Sequence, residues 1–347
     1  MNAFKTVSLE KDCVRILDQT RLPVQEVYLE CRDLAAVATA IERLSVRGAP
    51  AIGVAAAMVL ALEAGKISAD NLSDFVRVFE IMCDRLYRTR PTAVNLAWAI
   101  DRMKQKVFSW EGKNIAGLPV ALKEEACLIH DEDISSNRSM GNYGQRVLPR
   151  SATVMTICNT GALATAGYGT ALGVVRAAIE NHKDIFVVSC ETRPLLQGAR
   201  LTCWELARDN IPFELITDNM AGYYMKKKKV DAVIIGADRI AGNGDCANKI
   251  GSYSLSILAR AHGVPFYIAA PVSTIDISAA GGDDIPIEER SANEVVCFNG
   301  TMTAPQGVQV WNPAFDVVPA GNISGIITEK GIIYPPFGEG IKKIVSN

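Results

Sequence analysis

Aromatic residues are scarce in this chain, at 7% of 347 residues, and histidine is scarcer still, with three, at 130, 182 and 262. The three lie too far apart for metal-ligand spacing, so no metal is expected. Nine cysteines occur but no Cys-x-x-Cys pair, which removes zinc knuckles and thioredoxin-like redox motifs. Many sit in apolar surroundings, as reduced cytosolic cysteines do. Neither sign of charge dominates, the net charge being −2, so there is no basic footprint for nucleic acid. The single basic cluster, Lys226 to Lys229, reads as a solvated end ahead of a strand. The longest apolar stretch, Ala49 to Leu62, is too short to span a bilayer. Met1 to Glu10 is charged and lacks the apolar core of a signal peptide. The expectation is a soluble, cytoplasmic protein with no membrane or nucleic-acid partner. A Gly-x-Gly-x-x-Gly fingerprint after a strand is also missing. Gly167, Gly169 and Gly173 have the wrong spacing and fall in a predicted helix, which disfavours a nicotinamide enzyme.

Hydrophobic residues make up 49% of the chain and glycine contributes 27. That length and composition predict about two domains with ample core. After a short extended start, apolar spacing predicts helices over Arg32–Leu44, Pro50–Ala64, Asp70–Tyr87, Val94–Lys106 and Glu124–Tyr143. From Thr153 the pattern changes to short apolar strands: Val154–Cys158, Ile185–Cys190, Phe213–Thr217, Ala232–Ile235, Phe266–Ala270 and Ile323–Thr328. Helical patterns separate most of them. The fold class is therefore α/β, with a doubly wound parallel sheet behind a smaller, mainly helical N-terminal domain. The domains divide as residues 1–125 and 126–347.

Ligands of open α/β sheets bind beyond the carboxyl ends of the strands. Polar groups collect there in this sequence: Cys158-Asn159-Thr160-Gly161, Glu191-Thr192-Arg193-Pro194 with Gln197-Gly198, Thr217-Asp218-Asn219, Asp238-Arg239 and Pro271-Val272-Ser273-Thr274. Asn248-Lys249 follows Asp238 where a helix should begin. In the helical domain, Arg47-Gly48-Ala49-Pro50 and Arg90-Pro91-Thr92 each precede a helix, whose N-terminus favours an anion. Two guanidinium groups there suit a phosphate. Each residue has a plainer reading. Arg47 and Arg90 fit surface arginines before proline-started helices. Cys158 fits a small buried hydrophobe and Asp238 a turn cap. Asn248 fits an N-cap, Lys249 a surface residue and Gln197 an ordinary helix residue.

Taken together, these stretches resemble the methylthioribose-1-phosphate isomerase family, aldose–ketose isomerases related to the alpha, beta and delta subunits of eIF2B. Thr217-Asp218-Asn219-Met220-Ala221, Asn248-Lys249-Ile250-Gly251 and Ile287-Glu288-Glu289-Arg290 extend the match over nearly the whole chain. The resemblance implies a Rossmann-like C-terminal domain, a homodimer, a sugar phosphate substrate, and no metal or organic cofactor. It implies Cys158 and Asp238 as the catalytic pair, and Arg47, Gly48, Ala49, Arg90, Gln197, Asn248 and Lys249 as substrate-binding. The neighbouring possibilities are a 5-deoxyribose-1-phosphate isomerase, a ribose-1,5-bisphosphate isomerase, and a non-catalytic eIF2B-like regulatory subunit.

An anomeric phosphate blocks the ready ring opening of a free aldose, so the ring oxygen needs a proton donor. A carboxylic acid in a dry pocket suits that role, and Asp238 is the candidate. Hydrogen then moves from C2 to C1, with Cys158 as base or as stabiliser of a hydride shift. A helix beginning after Gly161 would favour its thiolate.

Overall fold

The computed structural model describes residues 4–112, 114–298 and 300–346. Positions 1–3, which open the Met1–Glu10 segment, lie outside them. The chain forms two compact units, one of residues 1–138 and 160–169, the other of 139–159 and 170–347.

The first unit opens with a three-stranded antiparallel sheet, Val7–Leu9, Val14–Leu17 and Tyr28–Cys31. Helices Leu34–Glu42, Ala49–Ala64, Leu72–Tyr87 and Val94–Phe108 follow. Two starts have side-chain caps: Asp33 accepts from the Ala36 N–H at 2.8 Å, and Asn71 from the Asp74 N–H at 3.0 Å. Ala49–Ala64 is apolar all round, and twelve of its 16 residues are buried, so it forms the middle of this core. It approaches Val94–Phe108 closely, since a Cβ on Gly53 would lie 2.7 Å from the Asn95 carbonyl oxygen. Only a residue without a side chain allows that approach.

Residues 160–169 belong to this unit and do not form the helix the sequence suggests. Ala162–Ala164 is a single 3₁₀ turn, and the next α-helix starts at Ala171. Gly167 and Gly169 therefore lie in a loop, with Gly169 at φ +85°. Side chains far away in sequence hold the segment. Thr6 donates to the Ala162 carbonyl at 2.6 Å and Gln19 to that of Leu163 at 2.7 Å. The Asp133 carboxylate accepts the Ala166 N–H at 2.7 Å and the Asn137 amide at 3.0 Å.

Burial pushes the Asp133 carboxyl up to about 7, against those two hydrogen bonds. The native state therefore holds a proton that the unfolded chain, with an ordinary carboxyl, has lost between about pH 4 and pH 7. Stability falls as pH rises through that window and is level above it. Asp133→Asn keeps an acceptor and removes the charge. It is expected to raise the melting temperature at pH 8, by a stability gain of at most about 4 kcal/mol, and to lose the gain towards pH 4. Parallel melting curves across that range check it; a constant difference contradicts it.

The second unit is built on a seven-stranded sheet. Its first six strands, in chain order, are Ser151–Thr156, Asp184–Cys190, Phe213–Ile216, Ala232–Ile235, Phe266–Ala269 and Gly325–Thr328. Their spatial order is 3-2-1-4-5-6, all parallel, with Gly331–Ile333 added antiparallel at the far edge. Ala232–Ile235 is buried throughout, as a central parallel strand covered on both faces should be. Each such Val or Ile contributes roughly 1.5–3 kcal/mol by leaving water. Strand order reverses between Ser151–Thr156 and Ala232–Ile235, which pair through Val154 with Ala232 and Met155 with Val233. That is the switch point at which doubly wound sheets bind ligands.

A second sheet, of four strands, has the order Ile275–Asp276, Arg239–Ala241, Cys246–Lys249, Phe315–Val318. It departs directly from the end of Ala232–Ile235. Among the described residues, no helix is long and apolar enough to cross a membrane.

Candidate active site

Cys158 lies two residues beyond the first central strand, and Asp238 three beyond the fourth. These are the two strands that flank the switch point, so Cys158 and Asp238 stand at neighbouring strand ends. Cys158 is buried and takes a left-handed backbone, φ +68°. Its N–H donates to the Thr192 hydroxyl at 2.8 Å, and its carbonyl accepts from the Thr202 hydroxyl at 2.7 Å. Asn159 continues the anchorage, donating to Glu205 at 2.8 Å, and Glu205 pairs with buried Arg176 at 2.8 Å. The helix expected after Gly161 is absent, so no helix N-terminus of that origin serves Cys158.

The second strand end supplies Gln197. It does not sit in an ordinary helix but directly before a π-helical turn, Gly198–Thr202, a rare geometry that recurs at functional sites. Thr192 at φ +69° and Leu196 at φ +58° precede it. Such strained residues persist only where their surroundings fix them. Gln197 is buried, and its side-chain oxygen has no hydrogen-bond partner among the described residues. Buried polar atoms are normally satisfied, so this one is available to a ligand.

Asp238 immediately precedes the strand Arg239–Ala241, its N–H donating to the Ala247 carbonyl at 2.9 Å. Arg239 is engaged with Asp276 at 3.0 Å. Asn248 and Lys249 end the strand Cys246–Lys249, so neither caps nor starts a helix. The helix begins at Ser252, behind Gly251 at φ +101°. Both side chains are buried, which removes the surface reading of Lys249. The Asn248 amide donates to the Ser252 hydroxyl at 2.9 Å. The Lys249 ammonium donates to the Ala314 carbonyl at 3.0 Å and lies 4.5 Å over the Phe315 ring. Asp316, opposite Asn248 in the sheet, accepts the N–H groups of Gly251 at 2.7 Å and Tyr253 at 2.9 Å. Burial pushes its carboxyl up to about 6, while those donors and the Lys249 charge pull it down.

In the first unit, Arg47, Gly48 and Ala49 form the entry to helix Ala49–Ala64. Gly48 has φ +95°, and a Cβ there would lie 2.5 Å from the Ala164 backbone. No side chain caps this helix. Its first N–H groups and the positive end of its dipole therefore suit an anion. Arg47 is buried, contrary to the surface reading, and its Nε donates to the Gln19 side chain at 3.1 Å. Arg90 lies in the turn between Leu72–Tyr87 and Val94–Phe108. Because Gly53 meets Asn95, the helices after Arg47 and Arg90 start side by side. The two arginines thus mark the same end of this helix pair.

Gln19 had no signal in the sequence. It is buried, bonded to Arg47 through its oxygen and to the Leu163 carbonyl through its nitrogen. Gln19→Leu removes both bonds with little change in volume. It is expected to raise KM for a phosphorylated sugar about tenfold, the equivalent of one charge-assisted hydrogen bond, and to leave kcat nearly unchanged. Steady-state kinetics decide, and an unchanged KM would remove Gln19 from the account. Thr202 and Asp316 likewise have no signal in the sequence. Thr192 was visible only as part of a strand-end motif.

Residues 45–335 match the model of the initiation factor 2 subunit family. The methylthioribose-1-phosphate isomerase of Desulforamulus reducens is 54% identical over 338 residues, covering 97% of this chain and 98% of that protein. That of Trichlorobacter lovleyi is 56% identical over 330 residues, covering 95% of each. The crystal structure of 5-methylthioribose 1-phosphate isomerase from Pyrococcus horikoshii matches with a TM-score of 0.92 at 44% identity, covering 99% of this chain and 96% of that one. A structure from A. fulgidus described as translation initiation factor eIF-2B, subunit delta, matches with a TM-score of 0.88 at 42% identity, covering 99% and 100%.

Proposed function

The chain belongs to the methylthioribose-1-phosphate isomerases of the initiation factor 2 subunit family, and from that premise we propose how it works. It is an isomerase that converts 5-methylthioribose 1-phosphate, a closed aldose 1-phosphate, into the open ketose 5-methylthioribulose 1-phosphate, a step of methionine salvage. The observation that carries the site assignment is the position of Cys158 and Asp238 at the carboxyl ends of the two strands flanking the switch point.

In this reading Asp238 protonates the ring oxygen as the C1–O bond to the ring breaks. The hydrogen on C2 then moves to C1, and the C2 hydroxyl gives up its proton as the carbonyl forms at C2, which offsets the proton that Asp238 gave to the ring oxygen. Cys158 acts as base for that transfer or stabilises its transition state. Gln197, Asn248 and Lys249 orient the sugar oxygens. Arg47 and Arg90, with the backbone at Gly48 and Ala49, hold the phosphate. The apolar neighbours Ile157 and Ala162 are buried, which favours the water-poor surroundings the chemistry wants. The substrate is a small sugar phosphate and the reading needs no cofactor. We place the protein in the cytoplasm on its sequence composition, and as a homodimer on the strength of the family resemblance.

Turnover of 5-methylthioribose 1-phosphate beside 5-deoxyribose 1-phosphate and ribose 1,5-bisphosphate tests the substrate. Clear preference for the thioether sugar is expected. Equal use of the deoxy sugar would widen the specificity. No turnover of any would favour a non-catalytic eIF2B-like regulatory subunit.

A further inference from the structure

We infer that Thr192 and Thr202 are positioning residues that clamp Cys158 in its left-handed backbone conformation, with Asp218 fixing Thr192 in turn. The inference rests on the reading of Cys158 as a catalytic residue.

A cysteine at φ +68° is an uncommon backbone state, and nothing in its own side chain favours it. It persists only if both neighbouring peptide groups are held. Both are held, from different elements. The Cys158 N–H meets Thr192 Oγ1 at 2.8 Å, and the Cys158 carbonyl meets Thr202 Oγ1 at 2.7 Å. Thr192 belongs to the end of the second central strand and Thr202 to the π-helical turn. Each has no measurable exposure. The Thr192 hydroxyl donates its own proton to the Cys190 carbonyl at 2.9 Å, so it can only accept from Cys158. Its orientation is therefore fixed.

Thr192 is itself at φ +69°. A β-branched residue is among the least tolerant of that state, so local backbone preference does not explain its presence. The hydroxyl does. The strain at Thr192 is stabilised from behind: Asp218 accepts the N–H groups of Thr192 at 2.8 Å and Arg193 at 2.7 Å. A carboxylate with two acceptors bridges those adjacent donors, whereas an amide would turn an N–H towards one of them. The chain of dependence runs Asp218, Thr192, Cys158, and meets a second support through Thr202.

Valine is the same shape as threonine without the hydroxyl, and equally branched. Thr192→Val and Thr202→Val therefore test the bonds and not the strain. Each is expected to lower kcat for 5-methylthioribose 1-phosphate at least tenfold, with KM within threefold of wild type. Thr192→Ser restores the hydroxyl and is expected to return kcat to within threefold. A merely structural role would give a lower melting temperature with kcat per folded protein unchanged, and that result overturns the inference. If a valine variant does not fold, Asp218→Asn is measured in its place; kcat equal to wild type there also overturns it. Cys158→Ser in the same assay separates the premise. Turnover surviving in Cys158→Ser defeats the reading of Cys158, and the clamp with it. An inactive Cys158→Ser beside fully active valine variants defeats the clamp alone.

Discussion

Asp238→Asn is expected to lower kcat about a thousandfold, within the range for losing a general acid, while a bound product analogue keeps most of its affinity. Asparagine has nearly the same shape, and the backbone bond from position 238 to the Ala247 carbonyl does not involve the side chain. What disappears is the transferable proton. A furanose locked by its anomeric phosphate does not open at a useful rate without protonation of the ring oxygen, so the loss falls on kcat. An Asp238→Asn enzyme with wild-type kcat would remove Asp238 from the chemistry.

Gly198→Ala is expected to be the most damaging conservative change in the second unit. A Cβ at position 198 would lie 1.7 Å from the Cys190 carbonyl oxygen, and 2.8 Å from the Thr192 hydroxyl. Neither atom belongs to a flexible side-chain end, so the π-helical turn must move away from the strand. Overpacking commonly costs about 1–3 kcal/mol, and a backbone obstacle places this at or above the upper end. For a unit of this size the melting temperature should fall by about 10 °C. The same displacement carries Gln197 and Thr202, so activity should be lost even in the fraction that folds. A Gly198→Ala protein with wild-type melting and turnover would show that the turn is not pinned as described.

The six parallel strands were legible because buried parallel strands are short continuous apolar runs, as Ala232–Ile235 illustrates. Their strand-end residues are therefore legible in the sequence itself. What local pattern does not carry is pairing between distant segments. Asn248 and Lys249 read as a helix start because a helix does follow, at Ser252. Their strand exists only through its pairing with Phe315–Val318. Residues 160–169 read as helix because a helical segment is expected between consecutive parallel strands. Tertiary bonds from Thr6, Gln19 and Asp133 decide otherwise. Gln19 lies 28 positions from the arginine it contacts. Thr192 could be quoted as part of a motif, but its left-handed backbone and its bond to Cys158 required the fold.

The central claim is that the two strand ends at the switch point carry an aldose–ketose isomerisation. The most direct measurement is turnover of 5-methylthioribose 1-phosphate by Cys158→Ser, with binding of a product analogue followed by calorimetry on the same preparation. The account predicts turnover reduced at least a hundredfold, as for loss of a positioned acid–base group, with analogue affinity retained. Turnover close to wild type in that variant would contradict it.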